Sequence, residues 1–93
     1  MLKTFKFKEG TIIIEVSEEM EFDMKAKTIT NTGRFTACLI GGTVPGIKAS
    51  LVRDPKTKSE RIFRTEEAAF KAALQLAKKL GYHPTKAAPI KHG

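Results

Sequence analysis

Apolar and polar positions along this chain repeat with two different periods. From Thr4 to Lys8 the period is two, with Phe5 and Phe7 on one side and Thr4, Lys6 and Lys8 on the other. That is the pattern of a half-buried strand. Thr11 to Val16 repeats it in β-branched residues, grouping Ile12, Ile14 and Val16 on one face and Thr11, Ile13 and Glu15 on the other. Glu9-Gly10 suits a tight turn between them, so the two segments predict a hairpin. The pattern breaks at Ser17 to Glu19, where Ser17-Glu18-Glu19-Met20 fits a strand start or a short helical turn. Alternation then resumes with Met20, Phe22, Met24 and Ala26, predicting a strand over about Phe22 to Thr30.

Asn31-Thr32-Gly33 carries turn chemistry. Arg34 to Ile40 reads as the next strand, with Phe35, Ala37 and Leu39 sharing a face. Gly41-Gly42-Thr43-Val44-Pro45-Gly46 is a connection; no Lys-Ser/Thr follows it to make a phosphate-binding loop. Ile47 to Arg53 predicts a further strand, with Ile47, Ala49 and Leu51 opposite Lys48, Ser50 and Val52. Pro55 cannot donate to a ladder, so Asp54 to Lys58 is a turn, and Ser59 to Arg64 is the last strand.

At Thr65 the period changes to that of a helix. Ala69, Phe70, Ala73, Leu74, Leu76, Ala77 and Leu80 fall on one side, and Lys71, Gln75, Lys78 and Lys79 on the other. Thr65 suits the N-cap, Glu66 and Glu67 the positive end of the helix dipole, Lys78 and Lys79 its negative end, and Gly81 the closing left-handed residue. Glu67 and Lys71 form an i,i+4 pair worth about 0.3 kcal/mol. Ala69, Ala73 and Ala77 make a small-residue ridge that permits close approach to a sheet. The fold class expected is α+β: a four- to six-strand antiparallel meander with one C-terminal amphipathic helix on one face. The expected core is Phe5, Phe7, Ile12, Ile14, Phe22, Phe35, Leu39, Leu51, Ile62 or Phe63, Phe70, Leu74, Ala77 and Leu80. Residues 1–82 should form a single domain, and 83–93 a loosely attached basic tail with Tyr82 folding back on the helix end.

Charge adds a functional dimension. The net charge is +7, but residues 1–24 carry three lysines against six carboxylates, leaving −3, while fourteen bases against four acids leave residues 25–93 at +10. Such an excess favours polyanionic partners. No run of eighteen apolar residues exists to span a membrane, and the N-terminus lacks a signal-peptide core, so a cytosolic protein is the expectation. Cys38, the single cysteine, reads as a small buried hydrophobe, and it forms no zinc set with the widely spaced His83 and His92. No Ser/His/Asp or Cys/His grouping is close in sequence, which points away from an enzyme and from any cofactor. The acids from Glu15 to Asp23 offer a metal or partner site, but the strict alternation from Glu19 to Lys27 argues instead for the wet side of a strand.

Gly33-Arg34-Phe35-Thr36-Ala37, then Arg53-Asp54-Pro55, Arg61-Ile62-Phe63 and Thr65-Glu66-Glu67-Ala68-Ala69 together resemble AP2-type and phage-integrase arm-type DNA-binding domains, over residues 33–81. The whole chain is similar as well to small bacterial domains built from a meander and one C-terminal helix. The first resemblance implies a three-stranded sheet lying in the major groove with a helix behind it. Its contact set would be Arg34, Lys48, Arg53, Lys56, Lys58 and Arg61, with the arginines reading guanine edges or clamping phosphates and the turn lysines on phosphates. Arg64 would join them if Phe63 points inward. The expectation is therefore a non-catalytic module binding DNA or RNA through a basic sheet face. The alternative is a protein-interaction or self-associating module, a homodimer formed through an exposed strand edge in the N-terminal hairpin.

Overall fold

The structure, a computed structural model, describes residues 1–85. Four antiparallel strands lie in sequence order: β1 (Leu2–Phe7), β2 (Gly10–Asp23), β3 (Thr28–Gly42) and β4 (Ser50–Leu51). One helix, α1 (Glu66–Lys79), crosses one face, so the fold is the expected α+β meander. The β1–β2 hairpin closes over two residues, with Phe7 opposite Gly10 and Phe5 opposite Ile12. Met1 extends it, exchanging hydrogen bonds with Val16 of 2.8 Å each way.

The core lies between sheet and helix. β1 contributes Phe5 and Phe7, β2 contributes Ile12, Ile14 and Val16, and β3 contributes Ala37 and Leu39. α1 closes it with Ala69, Phe70, Ala73 and Ala77, all buried. The alanine ridge brings the helix down onto the sheet, and Phe70 fills the space beside Phe5, with ring centroids 5.9 Å apart and planes tilted by 51°. The Thr65 hydroxyl accepts from the Ala68 amide at 3.1 Å, capping the helix start. At the other end Gly81 takes φ 99°; its amide donates to Lys78 and the Tyr82 amide donates to Ala77, a Schellman closure. Tyr82 packs on the core, and its hydroxyl donates to the Pro45 carbonyl.

Several boundaries differ from the sequence expectation. β2 does not break at Ser17; it runs on to Asp23, and the turn falls at residues 24–27, inside the segment expected as a strand. Asp23 explains this, since its Oδ1 accepts from the amides of Lys25 and Ala26 and Lys27 takes a left-handed φ of 53°. The Asn31-Thr32-Gly33 signal makes a bulge within β3 instead of a turn, with Gly33 at φ 73° and its amide donating to Glu18 Oε2. The hairpin so formed, residues 18–33, projects past the helix. Phe22, expected in the core, is therefore 55% exposed. Leu80 is also exposed, being the C-cap.

The predicted strand at 47–53 shrinks to Ser50–Leu51, opposite Leu39 and Cys38. Its faces are inverted: Val52 is buried, while Leu51 lies only half-buried beside Cys38 on the side away from the helix. Phe63, not Ile62, enters the core. Residues 59–64 form isolated bridges in place of a strand. Residues 83–85, expected in the loose tail, are instead paired. The Lys8 amide donates to the His83 carbonyl, Pro84 bridges Phe7, and the Thr85 amide donates to the Lys6 carbonyl, so this segment runs beside β1. Lys86, Lys91 and the rest of the predicted tail lie outside the described residues.

Candidate nucleic-acid interface

The ladder along β3 is interrupted and resumed. The Val52 amide donates to Ala37, and two positions further along β3, Phe35 exchanges 2.8 Å hydrogen bonds with Phe63. The intervening residues cannot stay in the sheet and stand out from it as a hairpin. Asp54 organises its tip: Oδ1 accepts from the amides of Lys56 and Thr57, and the Asp54 carbonyl accepts from Lys58, which adopts φ 64°. At the base the Arg61 amide donates to Val52, and Arg53 Nη1 reaches the Lys58 carbonyl at 3.0 Å. Lys56 and Lys58 are exposed at the tip.

This hairpin faces the outer flank of α1 across a groove of about 420 Å³. Helical spacing builds the far wall. Ala68, Ala72 and Leu76 recur every four residues and form its apolar floor with Val52 and Phe63, while Lys71, Gln75 and Lys79 recur on the adjacent line and form the rim. Arg53 and Arg61 supply the opposite rim, with the Arg61 guanidinium 5.0 Å from the Phe63 ring centroid. Among the described residues, four cationic side chains thus line one groove, and no carboxylate does.

The other expected contact residues lie elsewhere. Arg34 Nε sits 2.8 Å from Glu19 Oε2, and Arg34 shares a shallow cleft with Arg64 and Ile62. Lys48 is exposed on the loop before β4. The open face of the sheet carries carboxylates: Glu19 and Glu60 line one depression with Ser17 and Thr36, and Glu18, whose Oε2 accepts from the Gly33 amide, borders it. Beside it the Cys38 thiol is pushed up, first by burial and then by Glu15 and Glu60. The structure thus brings Arg53 and Arg61 together with helix lysines, and keeps Arg34 and Lys48 apart from them.

No family model matches the chain, and neither curated proteins nor solved structures give a match. The site therefore rests on geometry alone. Among the described residues no cluster of His, Cys, Asp or Glu is arranged to hold a metal ion, and no helix is long and apolar enough to cross a membrane. Lys71 and Lys79 are the members that the sequence places on the polar side of the helix and outside the expected contact set. Their four-residue spacing through Gln75 was the available signal, but the hairpin that makes them one wall of a groove was not readable.

Proposed function

We propose that the protein is a non-catalytic module that binds nucleic acid through the groove between the 53–61 hairpin and α1. The observation that supports this is the convergence of Arg53, Arg61, Lys71 and Lys79 on one groove without an acid. A polyanion backbone fits such a lining: the cations neutralise successive phosphates, and Lys56 and Lys58 at the hairpin tip extend the track. The open sheet face is the weaker candidate, because its depression beside Thr36 is lined by carboxylates that repel phosphate.

Fluorescence anisotropy with labelled duplex DNA and with RNA tests the reading. Affinity for duplex DNA should fall with salt along a log–log slope between about −3.6, for the four groove cations, and about −5.4, with both tip lysines engaged. Lys71→Glu should weaken binding and flatten the slope by about 1 or more. Arg34→Gln should leave both unchanged. Affinity that does not change between low salt and about 0.3 M would defeat the phosphate-neutralising mechanism. Loss in Arg34→Gln with none in Lys71→Glu would return the interface to the sheet.

A further inference from the structure

The hairpin of residues 18–33 is a second feature, built on different residues. Both register shifts between β2 and β3 place their extra residues on β3, so β2 alternates without a break from Ile12 to Asp23. Met20 and Phe22 therefore stand on the same side of β2 as the buried Ile12, Ile14 and Val16. Ile29 is opposite Phe22 in the ladder and shares that side. Past Glu18, which shares that side at the root, the apolar face of the sheet thus resumes along the arm after the helix covering it has ended. Met20, Phe22, Met24 and Ile29 are between 55 and 78% exposed. A two-stranded ribbon is marginal in water on its own, and an apolar row along one face is a surface that calls for a cover.

The cover that matches this row is present on the same chain. At the root of the arm, where α1 begins, lies a cleft of about 970 Å³ with apolar walls from Met1, Leu2, Phe35 and Phe70. The arm cannot fold back into its own root. In a two-fold pair of arms laid face to face and antiparallel, each tip necessarily overlies the other's root. The arm's lysines, Lys25 and Lys27, are at its tip. Two acids and two bases border the root cleft: Glu66 and Glu67 on the first turn of α1, which a lysine tip would meet, Arg64 before the helix, and Lys3, engaged over the Phe70 ring at 4.6 Å.

We propose that residues 18–33 are a dimerisation arm, whose apolar face packs antiparallel on that of a second copy and seats its tip in the second copy's root cleft. Sedimentation equilibrium of the full chain from micromolar to near-millimolar concentration tests it. The wild type should show a concentration-dependent dimer. Phe22→Asp, at an exposed position, should weaken it by about a hundredfold or more while leaving the melting temperature of the monomer unchanged. Lys25→Glu should weaken it less, and Lys25→Glu combined with Glu67→Lys should restore it. A monomer at every concentration overturns the proposal, as does a dimer that Phe22→Asp leaves intact. A dimer indifferent to both charge variants would overturn the seating of tip in cleft.

Discussion

Phe35 and Phe63 exchange two backbone hydrogen bonds of 2.8 Å, although a whole hairpin separates Phe63 from the last β4 residue. This one reciprocal pair pins the base of the 53–61 hairpin to β3 and directs the Phe63 ring into the core, where Arg61 lies over it. Phe63→Ala should cost about 3–5 kcal/mol in urea denaturation. It should also weaken the proposed nucleic-acid binding at temperatures where the variant is still folded, because the Arg53–Arg61 rim loses its anchor. A variant as stable as wild type would refute the buried placement.

Phe70 is the large side chain that α1 sends into the core, beside Phe5. Phe70→Ala should likewise lose about 3–5 kcal/mol, read from the shift of the denaturation midpoint. Leu80→Ala, at the exposed C-cap, should stay within about 0.5 kcal/mol of wild type. Similar losses at the two positions would contradict the orientation of the helix.

Gly42 ends β3 at φ 139°, and a Cβ there would overlap the Thr11 carbonyl. The closeness has a purpose in the fold, since Thr11 and Thr43 bond reciprocally across the same point. Gly42→Ala should destabilise by at least about 2 kcal/mol through combined backbone strain and overlap. Gly33→Ala has open space around it and only its φ of 73° against it, so it should cost less. Thermal unfolding of both variants checks the order.

Glu9 joins the turn of the first hairpin to the segment after the helix, with Oε2 2.6 Å from His83 Nδ1 and Oε1 accepting from the His83 amide. The hydrogen bond to the His83 side chain leads in holding the Glu9 carboxyl below its ordinary value, and the one to the backbone amide adds to it. A carboxyl depressed on folding contributes stability that is complete above the ordinary carboxylate range and is lost as pH falls through the lowered folded value. Protection of the Lys8 amide, which donates to the His83 carbonyl, should therefore fall in acid. In Glu9→Gln that acid dependence should be absent. An unchanged acid profile in the variant would assign it to other groups.

The Cys38 thiol is pushed up by burial, with Glu15 and Glu60 adding to the effect. It should react with a disulfide reagent at neutral pH more slowly than a free thiol, since the thiolate is the reacting form. Glu60→Gln should speed it modestly. A rate above that of free cysteine would contradict the half-buried, acid-flanked setting.

The elements that were legible in the sequence are those whose pattern is local. The Phe5/Phe7 and Ile12/Ile14/Val16 alternation, the Thr65 cap, the alanine ridge and Gly81 all carry their own geometry within a few residues, and each stands where its pattern puts it. Misreadings arose where two local signals competed. Asn31-Thr32-Gly33 has stronger turn composition than Met24 to Lys27, yet the Asp23 carboxylate captures two amides and sets the turn early, leaving Gly33 to absorb a bulge. Val52 and Leu51 exchanged faces because pairing with Cys38 set the register, which no alternation within residues 47–53 encodes. The groove was half legible: Arg53 and Arg61 stood out as bases, but their convergence with Lys71 and Lys79 depends on a hairpin expelled from the ladder at Phe63.

Ala69, Ala73 and Ala77 carry a consequence beyond packing. One wall of the basic groove belongs to the helix and the other to a hairpin grown from the sheet, and the helix rests on the core of that sheet through these buried methyl groups. The span between Lys71 and Arg61 is therefore set by the thickness of an alanine seam, so a bulkier residue at Ala73 would pry the two rims apart without approaching anything held between them.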